Sequence, residues 1–129
     1  WRVGGFDERF RGYGHEDTCF GFELAKHGIG VLHIENRLLH SGLESNERFL
    51  QKTEEGIGNL KMLFEKVPQA RRMRLSQIYR WSQKKRIGQL LSLLAKGVLP
   101  LLRIYLREAK RPQIVFFQLY KAMLLLRKN

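Results

Sequence analysis

The sequence is poor in cysteine and proline, and its second half almost lacks acidic residues. The 129 residues include one cysteine, Cys19, and three prolines, and Glu108 is the only acidic residue after residue 65. A single cysteine excludes an internal disulfide framework and a cysteine-based zinc site, and it is compatible with a reducing compartment. The chain also lacks an initiating methionine and a signal-type segment, and it begins at Trp1 inside an apolar, turn-containing pattern. We therefore expect a piece of a longer protein.

The charge is distributed unevenly along the chain. The formal net charge is +12, made up of −3 over residues 1–65 and +15 over residues 66–129. Ten of the 12 glycines lie in the first of these segments, whereas the second is basic and rich in leucine. The change in composition near Pro68 predicts a boundary between a unit at 1–67 and a basic amphipathic helical tail at 68–129. A basic surface of this size attracts polyanions, either nucleic acid or anionic lipid headgroups.

Two apolar stretches in the tail favour a membrane surface over nucleic acid. Residues 87–106 and 114–126 are largely apolar, but Lys96, Arg103 and Lys121 interrupt them well short of the roughly 18–20 residues that cross a bilayer core. Apolar helices bordered by lysine and arginine are typical of interfacial helices. The alternative is that both helices pack on the rest of the domain. The membrane interpretation and this alternative can both be true. Nucleic acid is disfavoured because no recognition-helix or aromatic-platform motif accompanies the charge.

The spacing of apolar residues predicts an α/β arrangement for the first 65 residues. It indicates helices near 16–27 and 45–66 with a short buried strand at 29–34. Helices should dominate beyond Arg71. The expected fold class is therefore α/β, followed by a basic α-helical tail.

Several residues mark where these helices should end. Gly28 is suited to cap the C-terminus of the first helix, and Ser45 can cap the N-terminus of the second. Proline lacks the amide N–H that a helix interior uses. We therefore expect the tail to be broken or kinked at Pro100 and at Pro112.

The segment from Gly12 to Asp17 contains two adjacent acidic residues after a glycine-rich turn. Carboxylates in the first turn of a helix commonly do no more than interact favourably with the helix dipole. The alternative interpretation is functional: one carboxylate points into a cleft and acts as a general base. Successive helix residues point about 100° apart, so only one of Glu16 and Asp17 can aim at a reacting hydroxyl.

The order of motifs from Val3 to Gly42 resembles the C-terminal half of the catalytic domain of a family 2 glycosyltransferase with the GT-A fold. The nearest resemblance is to bacterial members whose C-terminal region is galactosyltransferase-like. The matching elements, in order, are Gly4–Glu8, Gly12–Asp17, Gly28, 29–34 and His40. The resemblance covers residues 1 to about 65 and extends loosely into the tail. It implies that 1–67 is the acceptor-side part of a GT-A domain without its nucleotide-binding half.

The resemblance also assigns roles to residues of the glycine-rich turn and the helix after it. Asp17 falls where the family has the base that deprotonates the acceptor hydroxyl in an inverting displacement. Glu16 falls where a second acid holds acceptor hydroxyls or supports the base. Tyr13 takes the place of the aromatic residue that stacks near the sugars. The other members of the expected substrate-binding set are Gly12, Gly14 and His15.

A divalent cation is the expected cofactor, either Mn²⁺ or Mg²⁺. The resemblance implies His40 as its ligand, with His33 as the alternative. The Asp-x-Asp motif that supplies the main metal carboxylates in the family is missing, since Asp7 and Asp17 are the only aspartates. The main ligands should therefore lie outside these residues. Asp7 and Glu8 are expected to have structural roles in their turn.

Taken together, the sequence predicts a fragment of an inverting glycosyltransferase that is inactive by itself. The full enzyme would transfer a sugar from a nucleotide-diphospho-sugar to a glycan or lipid-linked acceptor. Its expected location is the cytoplasm, peripheral on the inner face of the cell membrane. The alternative is a non-catalytic basic module that binds an anionic membrane or nucleic acid.

Overall fold

The computed structural model describes residues 3–39, 42 and 44–127, and the regular elements in these ranges are helices. A short 3₁₀ helix at Pro68–Arg72 connects the second and third α-helices. The five α-helices are α1 (Glu16–Lys26), α2 (Asn46–Lys66), α3 (Arg74–Gln83), α4 (Lys85–Glu108) and α5 (Ile114–Leu126).

The predicted α/β fold class is wrong, because the described residues contain no strand and no sheet. The apolar segment 29–34 is not helical, and its backbone is bonded to the described residues only at Ile29, whose N–H donates to the carbonyl of Leu24 in α1 at 3.0 Å. Leu32 is 86% exposed, and Val31 and Ile34 are also largely exposed. A strand requires a neighbouring strand to satisfy its backbone N–H and C=O groups, and a suitable side-chain pattern does not supply one.

The predicted limits of the first two helices are confirmed to within one residue. Gly28 follows α1 in the left-handed region, with φ 66°, and its N–H donates to the carbonyl of Ala25 at 3.1 Å. This geometry is a common way for a helix to end. At the start of α2, Ser45 Oγ accepts a hydrogen bond from the N–H of Arg48 at 3.2 Å, as an N-cap does.

The hydrophobic core lies mainly between α2, α4 and α5. On α4 the buried residues recur every three or four positions, at Gly88, Ser92, Ala95, Leu99, Leu102 and Leu106. They are joined in the core by Leu50, Leu60, Leu63 and Phe64 of α2, by Tyr120, Leu124 and Leu125 of α5, and by Cys19 of α1. The basic half therefore packs against the N-terminal half, as the alternative for the tail anticipated. The proposed boundary at residues 67 and 68 stays a prediction.

The two prolines of the tail behave differently. Helix α4 is not broken at Pro100, because it continues through this residue to Glu108, and the alternative of a kink there stays a prediction. Pro100 is exposed, whereas Leu99 and Leu102 on either side of it are buried. The face of α4 that packs in the core therefore continues beyond the proline, although proline has no backbone N–H to donate. The expected break at Pro112 is confirmed, since this residue lies in the connection between α4 and α5.

Helix α4 is, within the described ranges, the one helix long and apolar enough to cross a membrane by length and composition. Lys96 and Arg103 therefore do not exclude a span on these criteria. Only 28% of its most apolar 18-residue window is buried in the structure. Core helices of water-soluble proteins satisfy the same criteria.

Candidate functional site

The glycine-rich turn before α1 is fixed to α2 by the side chain of Asn59. The Asn59 amide nitrogen lies 3.0 Å from the carbonyl oxygen of Arg11, 3.3 Å from that of Tyr13 and 2.9 Å from that of Gly14. Asn59 is buried, with only 7% of its surface exposed. A buried amide donor bonded to the turn carbonyls specifies both the position and the conformation of the turn.

Close backbone approach requires glycine on both sides of this contact. Gly12 and Gly14 have φ values of 74° and 94°, which side-chain-bearing residues rarely adopt. On the facing helix, a Cβ atom added to Gly56 would lie 3.4 Å from the carbonyl oxygen of Tyr13. The turn therefore lies directly against the backbone of α2.

His15 connects the turn to α1 in a backbone conformation that is unusual for a non-glycine residue. Its φ is 73°, and it occupies the N-cap position without a side-chain hydrogen bond to the helix. Burial lowers the pKa of His15, the carboxylates of Asp17 and Glu16 oppose this shift, and Lys121 reinforces it. The neutral form of the imidazole is therefore favoured at the N-terminus of α1.

Glu16 and Asp17 occupy the first turn of α1 in different surroundings. Glu16 Oε2 is buried and has no hydrogen-bond partner among the described residues. Asp17 is exposed, and its Oδ1 accepts a hydrogen bond from the N–H of Thr18 at 2.6 Å. The two carboxylates therefore differ in their surroundings, with an oxygen of Glu16 buried and Asp17 exposed to solvent.

These residues line a cavity of about 480 Å³ between the turn, α1, α2 and the tail. This volume falls within the range of roughly 300–1,000 Å³ that is usual for small-molecule sites. The predicted site residues that line it are Tyr13, Gly14, His15, Glu16 and Asp17. Gly12 is not in the lining; a Cβ there would meet Glu55 Oε2 at 3.0 Å.

Aromatic and basic side chains also line the cavity. Lys52 Nζ lies 5.1 Å from the centroid of the Tyr13 ring and is also paired with Glu44. The Phe49 and Phe117 rings are in contact, with their centroids 5.3 Å apart. Exposed aromatic faces next to hydrogen-bonding groups suit a ligand with both apolar and polar faces, such as a sugar ring.

The predicted metal ligands are not assembled in the described part of the chain. His40 lies outside the described residues, and His33 is exposed on the segment that follows α1 and is not among the residues that line the cavity. Within the described ranges, no three His, Cys, Asp or Glu side chains are grouped closely enough to hold a metal ion. Glu16 and Asp17 alone therefore do not form a metal site.

Asp7 makes the structural contacts expected for it. Its Oδ1 accepts hydrogen bonds from the backbone N–H of Arg9 at 3.0 Å and from Arg9 Nε at 2.7 Å. The Arg9 guanidinium and amide lower the pKa of the Asp7 carboxyl to about 2. Asp7 therefore stabilises its own turn and does not line the cavity.

Comparisons with known proteins give a partial similarity. No family model matches the chain, and no solved structure matches it. One short stretch is similar to a glycosyltransferase. Over 29 residues, 22% of this chain, it is 62% identical to the validoxylamine A glucosyltransferases of Streptomyces hygroscopicus subsp. jinggangensis and subsp. limoneus. The match spans only 7% and 6% of the length of those two proteins.

Sequence analysis missed the part of the site that α2 and the tail contribute. The pattern from Gly56 to Asn59 was a usable signal, because two glycines and an asparagine are unfavourable in a helix interior unless a close approach requires them. Phe117 and Lys121 of α5 also line the cavity. No local pattern connects them to a turn about 100 residues earlier, so only the packing of α5 shows the connection.

Proposed function

We propose that this chain forms the acceptor-side part of an inverting, family 2-type glycosyltransferase. The observation that carries the proposal is the 62% identity over 29 residues to two proteins named as glucosyltransferases. The cavity beside Glu16 and Asp17 supports it, because it combines carboxylates with aromatic faces. The remainder of the reaction centre would be supplied by parts of the protein beyond this chain.

In this proposal Asp17 is the general base that removes the proton from the acceptor hydroxyl. Its carboxylate is exposed, and both of its hydrogen bonds from Thr18 are accepted by Oδ1, which leaves Oδ2 to accept the proton. A sugar hydroxyl is a weak nucleophile, so a base within hydrogen-bond reach is needed as the bond to the anomeric carbon forms. Tyr13 offers the ring face against which the acceptor sugar stacks.

Glu16 is proposed to hold a second acceptor hydroxyl. A buried carboxylate oxygen without a partner is unfavourable by roughly 1–3 kcal/mol or more, and a ligand O–H donor would remove that penalty. Gly12, Gly14 and His15 shape this side of the cavity through the turn. The neutral imidazole favoured at His15 can donate or accept a hydrogen bond without adding positive charge near the base.

The proposed donor is a nucleotide-diphospho-sugar. Mn²⁺ or Mg²⁺ would neutralise the charge that develops on its leaving diphosphate. The described residues alone do not hold such an ion, so its main ligands would come from outside them, with His40 as the ligand from this chain. No step of the acceptor chemistry proposed for Asp17 depends on that ion.

The test is sugar transfer by the full-length gene product. Replacing the base should lower kcat by about 10²–10⁴-fold, the usual contribution of a general base. Asp17→Asn should do this while donor binding and folding are retained. Glu16→Gln should act mainly on the KM for the acceptor. Near-normal kcat in the Asp17→Asn variant would show that Asp17 is not the base.

We further propose that the tail holds the protein peripherally on the inner face of the cell membrane. Six apolar residues of α4 are each more than half exposed and recur along one side of the helix: Ile87, Leu90, Leu93, Leu94, Leu101 and Ile104. Five exposed basic residues lie at or just beyond its two ends: Lys84, Lys85, Arg86, Lys110 and Arg111. An apolar face flanked by positive charge fits an anionic bilayer surface better than it fits nucleic acid.

Co-sedimentation with vesicles tests this second proposal. Binding to vesicles that contain phosphatidylglycerol should exceed binding to pure phosphatidylcholine vesicles and should weaken with salt. The double variant Leu90→Gln, Leu94→Gln should reduce the part that persists at high salt. Equal binding of that variant, or preference for duplex DNA over anionic vesicles at the same salt, would refute the membrane assignment.

A further inference from the structure

The cavity that contains Asp17 has a wall made by the basic half of the chain. Met73 and Leu75, near the start of α3, and Phe117 and Lys121 of α5 line it together with the glycine-rich turn and α2. The cavity is therefore completed by residues far beyond the acidic pair in sequence, and a ligand in it would contact α5.

Helix α5 is held firmly in this position. Tyr120 is only 1% exposed, and its hydroxyl donates to Glu54 Oε1 on α2 at 2.5 Å. Arg103 of α4 donates to the same carboxylate oxygen at 3.0 Å. The adjacent residue, Lys121, is thus presented to the cavity by a buried and hydrogen-bonded neighbour.

Lys121 carries a positive charge with no carboxylate within 4.0 Å in the described part of the chain. Its Nζ lies 4.9 Å from the centroid of the Phe117 ring. Its charge also contributes to the lowered pKa of His15, which lines the same cavity. The other lysine of the cavity, Lys52, is instead paired with Glu44. Lys121 is therefore available to bind an anion.

A second cavity of about 210 Å³ lies on the far side of the same aromatic pair. Phe49 and Phe117 line both cavities, and most of the surface of the smaller one is apolar. Its other lining residues include Leu50, Leu106 and Ile114. Ile114 is also 71% exposed, so this apolar cavity opens toward the outer surface at the start of α5.

We propose that Lys121 binds the phosphate that links the acceptor sugar to a lipid chain, and that the apolar cavity at Ile114 takes the first part of that chain. This inference rests on the proposed function, because it places the acceptor sugar beside Asp17. Lysine binds phosphate as a compact point charge. The order along the ligand would be sugar at Tyr13, phosphate at Lys121 and apolar chain at Ile114.

The test is calorimetric titration of the full-length gene product with geranyl phosphate, compared with inorganic phosphate, geraniol and glucose 6-phosphate. Geranyl phosphate should bind the most tightly of the four, because it alone combines a phosphate group with an apolar chain. Lys121→Gln should weaken its binding by about tenfold, the loss of one charge-assisted hydrogen bond. Ile114→Asn should weaken it by about threefold, through lost apolar burial.

Two matched variants distinguish these sites from the general basicity of the chain. Lys96→Gln removes the same charge from an exposed position of α4, and Val115→Asn makes the same polar change beside Ile114. Neither residue lines the two cavities, so both variants should bind as the wild type does.

Three results would overturn the inference. They are equal losses in Lys121→Gln and Lys96→Gln, binding of geranyl phosphate no tighter than that of inorganic phosphate, and a Lys121-dependent preference for glucose 6-phosphate. The last would point to a soluble sugar phosphate. Transfer that still depends on Asp17 under any of these results would leave the proposed glycosyltransferase function intact. Lys121-dependent binding without Asp17-dependent transfer would instead refute the proposed base.

Discussion

The side-chain amide nitrogen of Asn59 lies 2.9 Å from the carbonyl oxygen of Gly14. This contact joins α2 to the glycine-rich turn that precedes Glu16 and Asp17. Asn59→Ala should lower the free energy of unfolding by about 1–3 kcal/mol, because buried carbonyl groups would lose their donor. Urea denaturation followed by circular dichroism measures this change. Asn36→Ala, on the exposed segment after α1, serves as the control and should leave the midpoint unchanged. Equal effects of the two variants would show that the Asn59 contacts contribute little.

Two glycines of α2, two positions apart, should respond oppositely to alanine. Gly58 is exposed, and a Cβ there meets nothing within 4 Å, so Gly58→Ala should stabilise the chain by about 0.5–1 kcal/mol. Gly56→Ala should forfeit this gain or reverse it, because its Cβ would lie 3.4 Å from the Tyr13 carbonyl oxygen. Thermal unfolding of both variants under the same conditions provides the comparison. A gain at Gly56 as large as that at Gly58 would mean that the turn can move away.

The buried hydroxyl of Tyr120 should contribute measurably to the docking of α5. Its removal in Tyr120→Phe should destabilise the chain by about 0.5–1.5 kcal/mol, since the donor to Glu54 is lost while the ring is kept. Tyr105→Phe is the matched control, because Tyr105 is 39% exposed and its ring instead packs on Phe116. The measurement is the urea midpoint at neutral pH, and a loss of the same size at Tyr105 would contradict the assignment.

Stability should fall as the pH is lowered below the ordinary pKa of histidine. Burial lowers the pKa of His15 in the folded chain, and Lys121 lowers it further against the opposing carboxylates of Asp17 and Glu16. The unfolded chain therefore takes up the proton first as the pH falls through about 6.5. His15→Gln should remove this loss between neutral and mildly acidic pH, whereas His33→Gln should retain it. Urea titrations at several pH values test both variants, and an unchanged pH dependence in His15→Gln would assign the effect to other groups.

The local features of the fold could be predicted from the sequence because their causes are local. Ser45 and Gly28 mark helix ends through their own hydrogen bonds and backbone conformation. The strand expected at 29–34 failed because pairing depends on a partner that lies elsewhere. The sequence left a break or a kink open at Pro100 for a related reason: packing on the opposite face of α4 decides whether the helix continues.

The candidate site shows the same division between local and distant causes. Tyr13 to Asp17 are contiguous, so their motif could be recognised and their common location follows from the chain itself. Asn59 and Lys121 reach the cavity only because α2 and α5 pack against the turn. Patterns within a single sequence do not show which distant residues will come into contact.

The exposed residues 30–39 belong to the connection that links α1 covalently to α2. Residues 30–39 make no backbone hydrogen bond within the described part of the chain, so Arg37 is open to cleavage by trypsin. A cut there would leave α1 and its acidic pair attached to α2 only by noncovalent contacts, and an isolated 11-residue helix is marginal in water. Assembly of the cavity would then depend on the concentrations of two pieces, whereas the intact connection supplies a high effective concentration.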